Sequence, residues 1–206
     1  MLSRTADHLY WMARYTERAE NTVRMLDVCY RMSLLPGTNG GDTEGWSAIL
    51  DISELSEAYA RTGRPLTARD VIEFVALDRD NPSSVWNCLR AARENAHAVR
   101  GTLTAEMWET TNATWLEIRE VTPQKLQGMD LGEFFEWVKF RSHLLRGVTF
   151  GTMLHDDAFK FVRLGTYLER ADNTARLLDV KYHSLLPRAD GLTSSTDFYQ
   201  WGALLR

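Results

Sequence analysis

Two cysteines in 206 residues, Cys29 and Cys88, are too few for a disulfide framework or a zinc site. Both read as small core side chains in a reducing cytosol. No apolar run approaches the ~20 residues that span a bilayer, and the N-terminus MLSRTADHLYWMARYTER has no apolar secretion core. The expected location is therefore cytoplasmic, with no membrane partner. A surplus of base is also missing: 24 Lys and Arg face 28 Asp and Glu, so no electrostatic footprint for nucleic acid exists. Strand alternation between hairpin turns is absent too, and helical periodicity runs through the chain.

What the chain does contain is one helix written twice. Residues 17–30 read ERAENTVRMLDVCY and residues 169–182 read ERADNTARLLDVKY. Ten of the fourteen positions are identical, and three others are Glu/Asp, Val/Ala and Met/Leu swaps. The echo continues from SLLP at 33–36 to SLLP at 184–187, and from WSAIL at 46–50 to WGALL at 201–205. Cores tolerate many apolar sequences of similar volume, so agreement among polar residues points to a task for those side chains. The offset of 152 residues sets a repeat unit of about 150 residues. The expected architecture is a single all-α domain, a helical bundle built from an internally duplicated unit. Repeat one covers about 1–150, and repeat two is a partial copy at about 151–206. An incomplete second unit leaves an apolar face that a partner, or a second chain in a homodimer, could cover.

The pattern predicts a first helix from Thr5 to Met32, with Trp11, Tyr15, Ala19, Thr22, Leu26 and Tyr30 as its core stripe. Pro36 and the Asn39-Gly40-Gly41-Asp42 stretch then form a loop. A second helix runs through Trp46, Leu50, Leu55 and Tyr59, and a short one opens at Thr67 or Asp70. Asn81-Pro82-Ser83-Ser84 starts the helix of Leu89, Ala92 and Ala96, closed by Gly101. Thr104 leads into the helix of Met107, Trp108, Trp115 and Ile118. Asp130 with Glu133 matches a capping box. The second copy of helix one begins near Asp156 and ends near Tyr182, and residues 196–206 look like the start of a further helix.

On a helical wheel Glu17, Asn21 and Arg24 lie at about 0°, 40° and −20°, opposite the apolar stripe. Their counterparts are Glu169, Asn173 and Arg176. Arg18 and Arg170 sit at the edge of the two faces, where an arginine can cover apolar surface and still pair with a carboxylate. One reading is a solvated face laced with Glu20–Arg24 and Arg24–Asp27 pairs. Exposed pairs contribute only about 0–1 kcal/mol each, which is little reason to keep the same residues twice. The stronger reading places the two helices together with their Glu, Asn and Arg groups in a buried network. Glu94 and Asn95, followed by Arg100, loosely echo the pattern and could bring a third set to the same core.

Metal and catalytic constellations fail. Glu94-x-x-His97 is one step of the kind that builds di-iron bundles, but such sites need two steps and two further glutamates. A solvated or capping His97 is the better account. His155-Asp156-Asp157 suits a helix N-terminus, where carboxylates favour the dipole. No Gly-rich phosphate loop, nucleophile elbow or His-Glu-x-x-His motif is present, and no cofactor or metal is implied.

The segments LSRTADHLYWMARYTERAENTVRMLDV and HDDAFKFVRLGTYLERADNTARLLDVKYHSLLP, with their Glu-Arg-Ala-Glu/Asp elements, resemble the bacterial alpha-E domain family. The stretch from Ala91 to Arg100 and the Trp108…Asn112 segment are similar to it as well. Ala13 departs from the resemblance, since a counterpart of Gly165 is expected there. The resemblance implies a longer protein of about two repeats. It also implies association with a circularly permuted ATP-grasp protein, a transglutaminase-like protein and sometimes a proteasome-like peptidase. The leading expectation is a non-catalytic helical module that works with the ATP-grasp ligase, presenting or binding its peptide substrate. One alternative is an enzyme or ligand-binding protein using the Glu/Arg/Asn cluster, with Glu17 or Glu169 as acid/base and Arg24 or Arg176 holding an anion. Arginines beside a carboxylate lower its pKa, which weighs against an acid role. The second alternative is a metal-binding helical bundle.

Overall fold

The 31-residue helix α1 (Ser3–Ser33) buries twelve of its residues, and three of them are the carboxylates Glu17, Glu20 and Asp27. The computed structural model describes residues 1–34 and 43–185. Within them the fold is all-α, with nine helices and no strand. After α1 come α2 (Thr43–Ile52), α3 (Ser56–Arg61), α4 (Ala68–Leu77) and α5 (Val85–Ala98). A 3-10 turn (Arg100–Thr102) leads to α6 (Ala105–Arg119), α7 (Pro123–Gly128), α8 (Leu131–Thr152) and α9 (Asp157–Leu185). α1 packs most broadly against α5 and α9, and then against α8.

Local chemistry explains most boundaries. Thr67, Ser84, Thr104 and Thr122 each accept a hydrogen bond from the backbone N–H three residues on, capping α4, α5, α6 and α7. Pro123 occupies the first turn of α7, where its missing N–H costs nothing. Asp156 accepts from the N–H groups of Ala158 and Phe159 and so caps α9. At α8, Asp130 takes the Gly132 N–H rather than the Glu133 N–H that a capping box would use.

The core follows α1. Leu9, Met12, Ala19, Val23 and Leu26 are at most 1% exposed. From α5, Cys88, Ala92 and Ala96 turn inward at four-residue intervals, one face of the helix. The predicted stripe is partly displaced: Ala19, Thr22 and Leu26 are buried, whereas Trp11, Tyr15 and Tyr30 are half-buried. Trp86 and Trp115 make an edge-on pair, 4.9 Å between ring centres, at the core's margin. Cys88 is buried and its thiol is pushed up to about 12 by desolvation. Cys29 is half-buried.

Three expectations are corrected. The second predicted helix is two, α2 and α3, because the chain turns at residues 53–55 with Glu54 left-handed (φ 56°). This turn lets both Leu55 and Tyr59 reach the core, which a straight helix would not allow. α7 was not foreseen, since six residues are too few for a periodic signal. Gly101 does not end α5; it lies in the 3-10 turn that follows. The loop at 36–42, the echoes at 186–187 and 201–205 and the helix at 196–206 lie outside the described residues.

α1 and α9 run parallel and in register, since their contacts advance together along both helices. Gly165 lies on Tyr10 and Ala13, while Glu17 meets Arg170 and Arg18 meets Glu169. A Cβ on Gly165 would fall 2.3 Å from the Tyr10 carbonyl oxygen and 3.1 Å from the Ala13 Cβ. Gly165→Ala is therefore expected to force the helices apart and cost about 1–3 kcal/mol. Thermal unfolding should show a Tm lower by several degrees, and an unchanged Tm would refute the close contact.

Candidate functional site

Because α1 and α9 lie parallel in register, each Glu-Arg dipeptide meets the other. Arg170 donates from Nε to Glu17 at 2.6 Å, and Arg18 donates from Nε to Glu169 at 2.6 Å. Both guanidinium groups add a second N–H, at 3.4 and 3.1 Å, so each pair is forked. Glu17 and Glu169 are only 3% and 4% exposed.

Each carboxylate also takes a second cation, and here the halves differ. Glu169 receives Arg14, again from α1, at 2.5 Å. Glu17 receives Arg146 of α8, whose Nη1 lies 2.8 Å from Glu17 and 2.7 Å from Glu20. Glu20 is further held by Ser142 at 2.6 Å and by Arg24 at 2.7 Å. Burial pushes the Glu20 carboxyl up, but the bonds from Arg146, Ser142 and Arg24 outweigh it and hold it down at about 2. Along the same line Lys139 of α8 meets Asp27 at 2.8 Å. α8 thus runs antiparallel to α1 and lays Lys139, Ser142 and Arg146 against Asp27, Glu20 and Glu17.

The family model described as "a predicted alpha-helical domain with a conserved ER motif" matches residues 1–206. The chain belongs to the Alpha-E family. The chain has two Glu-Arg dipeptides, and they are the two that exchange partners across the α1–α9 contact. No curated protein and no solved structure matched the chain.

Other predicted residues of this Alpha-E domain separate into groups. Arg24 and Arg176 make equivalent pairs one turn back in their own helices, with Glu20 and with Asp172. Asp27 pairs with Arg31 and Lys139 instead of Arg24, which is drawn to the more buried Glu20. Asn21 and Asn173 stay outside the ion-pair network and line one cleft beside it. Glu94 is a correction: it is exposed and pairs with Arg90 of its own helix, so no third set joins the core. Asn95 lies apart, 2.8 Å from His8 Nδ1 and donating to the Ala91 carbonyl. His97 is exposed and rests near the Trp108 ring. Among the described residues no three His, Cys, Asp or Glu side chains converge as metal ligands, and no helix is long and apolar enough to cross a membrane.

Arg146, Ser142 and Lys139 escaped the sequence reading because α8 has no duplicate to flag it. Their spacing of three and four residues does place them on one helix face. That was the available signal.

Removing one partner from a buried pair strands the other charges and costs about 3–5 kcal/mol. Glu17→Ala, which orphans Arg170 and leaves Arg146 with Glu20 alone, should lower the Tm by roughly 10 °C, with a smaller loss for the half-exposed Arg170→Ala. Wild-type Tm in both variants would show that the network does not hold the fold.

Glu20 makes stability pH-dependent. Its folded pKa lies below the ordinary 4.5, so its contribution is present above that value and disappears as pH falls toward 2. The Tm gap between wild type and Glu20→Gln should therefore narrow from about pH 5 to about pH 2. A constant gap would contradict this assignment.

Proposed function

We propose that this domain is a non-catalytic helical interaction module. It acts with an ATP-grasp peptide ligase and a transglutaminase-like protein in a bacterial peptide-modification or tagging system, where it presents or binds the peptide substrate. Association with those enzymes follows from the family resemblance. The non-catalytic role is supported by the state of the carboxylates. Glu17, Glu20 and Glu169 each hold two or more cationic donors, and a carboxyl with a pKa of about 2, as at Glu20, is ionised and weakly basic at neutral pH.

The observation that carries the interaction role is the outer face of α9. Leu164, Leu168 and Leu178 are 46%, 43% and 38% exposed, and Ala171 and Ala175 between them are exposed too. The positions 152 residues earlier, Met12, Thr16, Ala19, Val23 and Leu26, are all buried, at 7% exposure or less. One apolar stripe therefore occurs twice, once covered by the fold and once facing outward. Outward apolar stripes of this length commonly mark protein contacts.

Leu168→Glu should abolish co-purification with the co-expressed ATP-grasp ligase and leave the Tm within about 2 °C of wild type, as for most surface changes. Ligase activity that is the same with and without this protein would overturn the reading. Ligand binding is a second function, favoured by the cleft at Asn21 and Asn173.

A further inference from the structure

One turn beyond the crossed Glu-Arg pairs, α1 and α9 border a cleft of about 220 Å³. Its other walls come from residues 52–55 and from Val75 and Ser83. Three separate observations meet there. The Asn21 amide nitrogen is buried and has no hydrogen-bond partner, an unusual state for a buried donor. Asn173, its counterpart in the second copy, lines the same cleft and is also without a partner among the described residues. Glu54, at the rim, is the one residue other than glycine with a positive φ among those described. L residues avoid that region unless their surroundings hold them there, and such backbone clusters at ligand sites.

Charge narrows the ligand. The cleft carries Arg18 and Arg176 against Glu54, Glu169 and Asp172. Both guanidinium groups are already on carboxylates, Arg18 on Glu169 and Arg176 on Glu54 and Asp172. A free anion would meet a surplus of negative charge. The unused groups are of a different kind. Two carboxamides can each donate to a carbonyl oxygen, and the rim carboxylates are only partly engaged. Glu54 meets Arg176 through one oxygen at 2.6 Å, and Asp172 holds its arginines loosely, at 3.3 and 3.6 Å. An amide carbonyl beside a primary ammonium matches both sets. The volume lies below that of typical drug-sized sites, so it suits a chain end.

We propose that this cleft binds the amino terminus of a peptide. The Asn21 and Asn173 amides donate to its first carbonyl, and Glu54 and Asp172 receive its ammonium group. The proposal rests on the peptide-handling role given above and names the part of the peptide that is held. It is separable from the ligase contact, whose stripe is centred about 130° around α9 from the cleft residues.

The test is calorimetric titration of the full chain with alanyl-alanine amide and with its N-acetyl derivative. The free amine should bind at least tenfold more tightly than the acetylated form, the loss expected when a charged hydrogen bond is removed. Asn21→Ala should weaken binding about tenfold and leave the Tm unchanged or higher, because it removes an unpaired buried donor. Glu54→Gly should weaken binding and keep the fold, since glycine accepts a positive φ. Equal binding of the two peptides, wild-type affinity in Asn21→Ala, or no heat with either peptide at about 10 mM would overturn the proposal. Ligase co-purification by Asn21→Ala should match wild type, so a failed titration leaves the interaction role standing and a failed co-purification removes that role instead.

Discussion

Everything in this fold depends on two carboxylates exchanging arginines across a helix contact. Glu17 and Glu169 are buried, and a buried carboxylate without a counter-charge costs several kcal/mol. Each helix carries both the acid and the base, so each satisfies the other once the two lie in this register, and the Gly165 contact with Tyr10 and Ala13 makes the direction parallel. A slip of one residue would move every one of these side chains by about 100° around the helix. The exchange has the logic of a symmetric dimer interface, in which residue i meets j and j meets i, here within one chain.

The symmetry is local, and its breakdown gives the domain two unlike sides. On one, α8 supplies Arg146, Ser142 and Lys139 and converts the acidic line of α1 into a closed array. On the other, the second cation for Glu169 is Arg14 of α1 itself, and the space beside it remains a cleft. The same motif thus serves cohesion at one level of the helix pair and leaves two amides uncommitted at the next. Among the described residues the strongest charges hold the structure, and the buried Asn21 amide nitrogen is left without a partner.

The helices and their polar duplicate were readable because both leave a periodic trace. Repetition of Glu17, Arg18, Asn21 and Arg24 at Glu169, Arg170, Asn173 and Arg176 was enough to expect a shared network. It did not say which carboxylate takes which arginine, because partner choice depends on register, and register was set by Gly165 against Tyr10. Arg146 was invisible for a related reason: a single arginine on an unrepeated helix looks like any solvated cation. Glu94 and Asn95 misled because a triplet of common helical residues carries no information about direction. The bend at Glu54 had no signal at all, since glutamate is not among the residues that favour a left-handed backbone.

The contact at Gly165 has a further consequence. It joins the first and last of the described helices by their backbones, with Tyr10 and Gly165 some 155 positions apart in sequence. The segments between them form a closed loop whose ends are fastened independently of its length. Insertions in its surface turns would alter the loop without shifting the fastening, because loop-closure cost grows only slowly with length. A family built this way can vary its intermediate helices, and the surfaces they offer, while its two motif helices remain at a single fixed alignment.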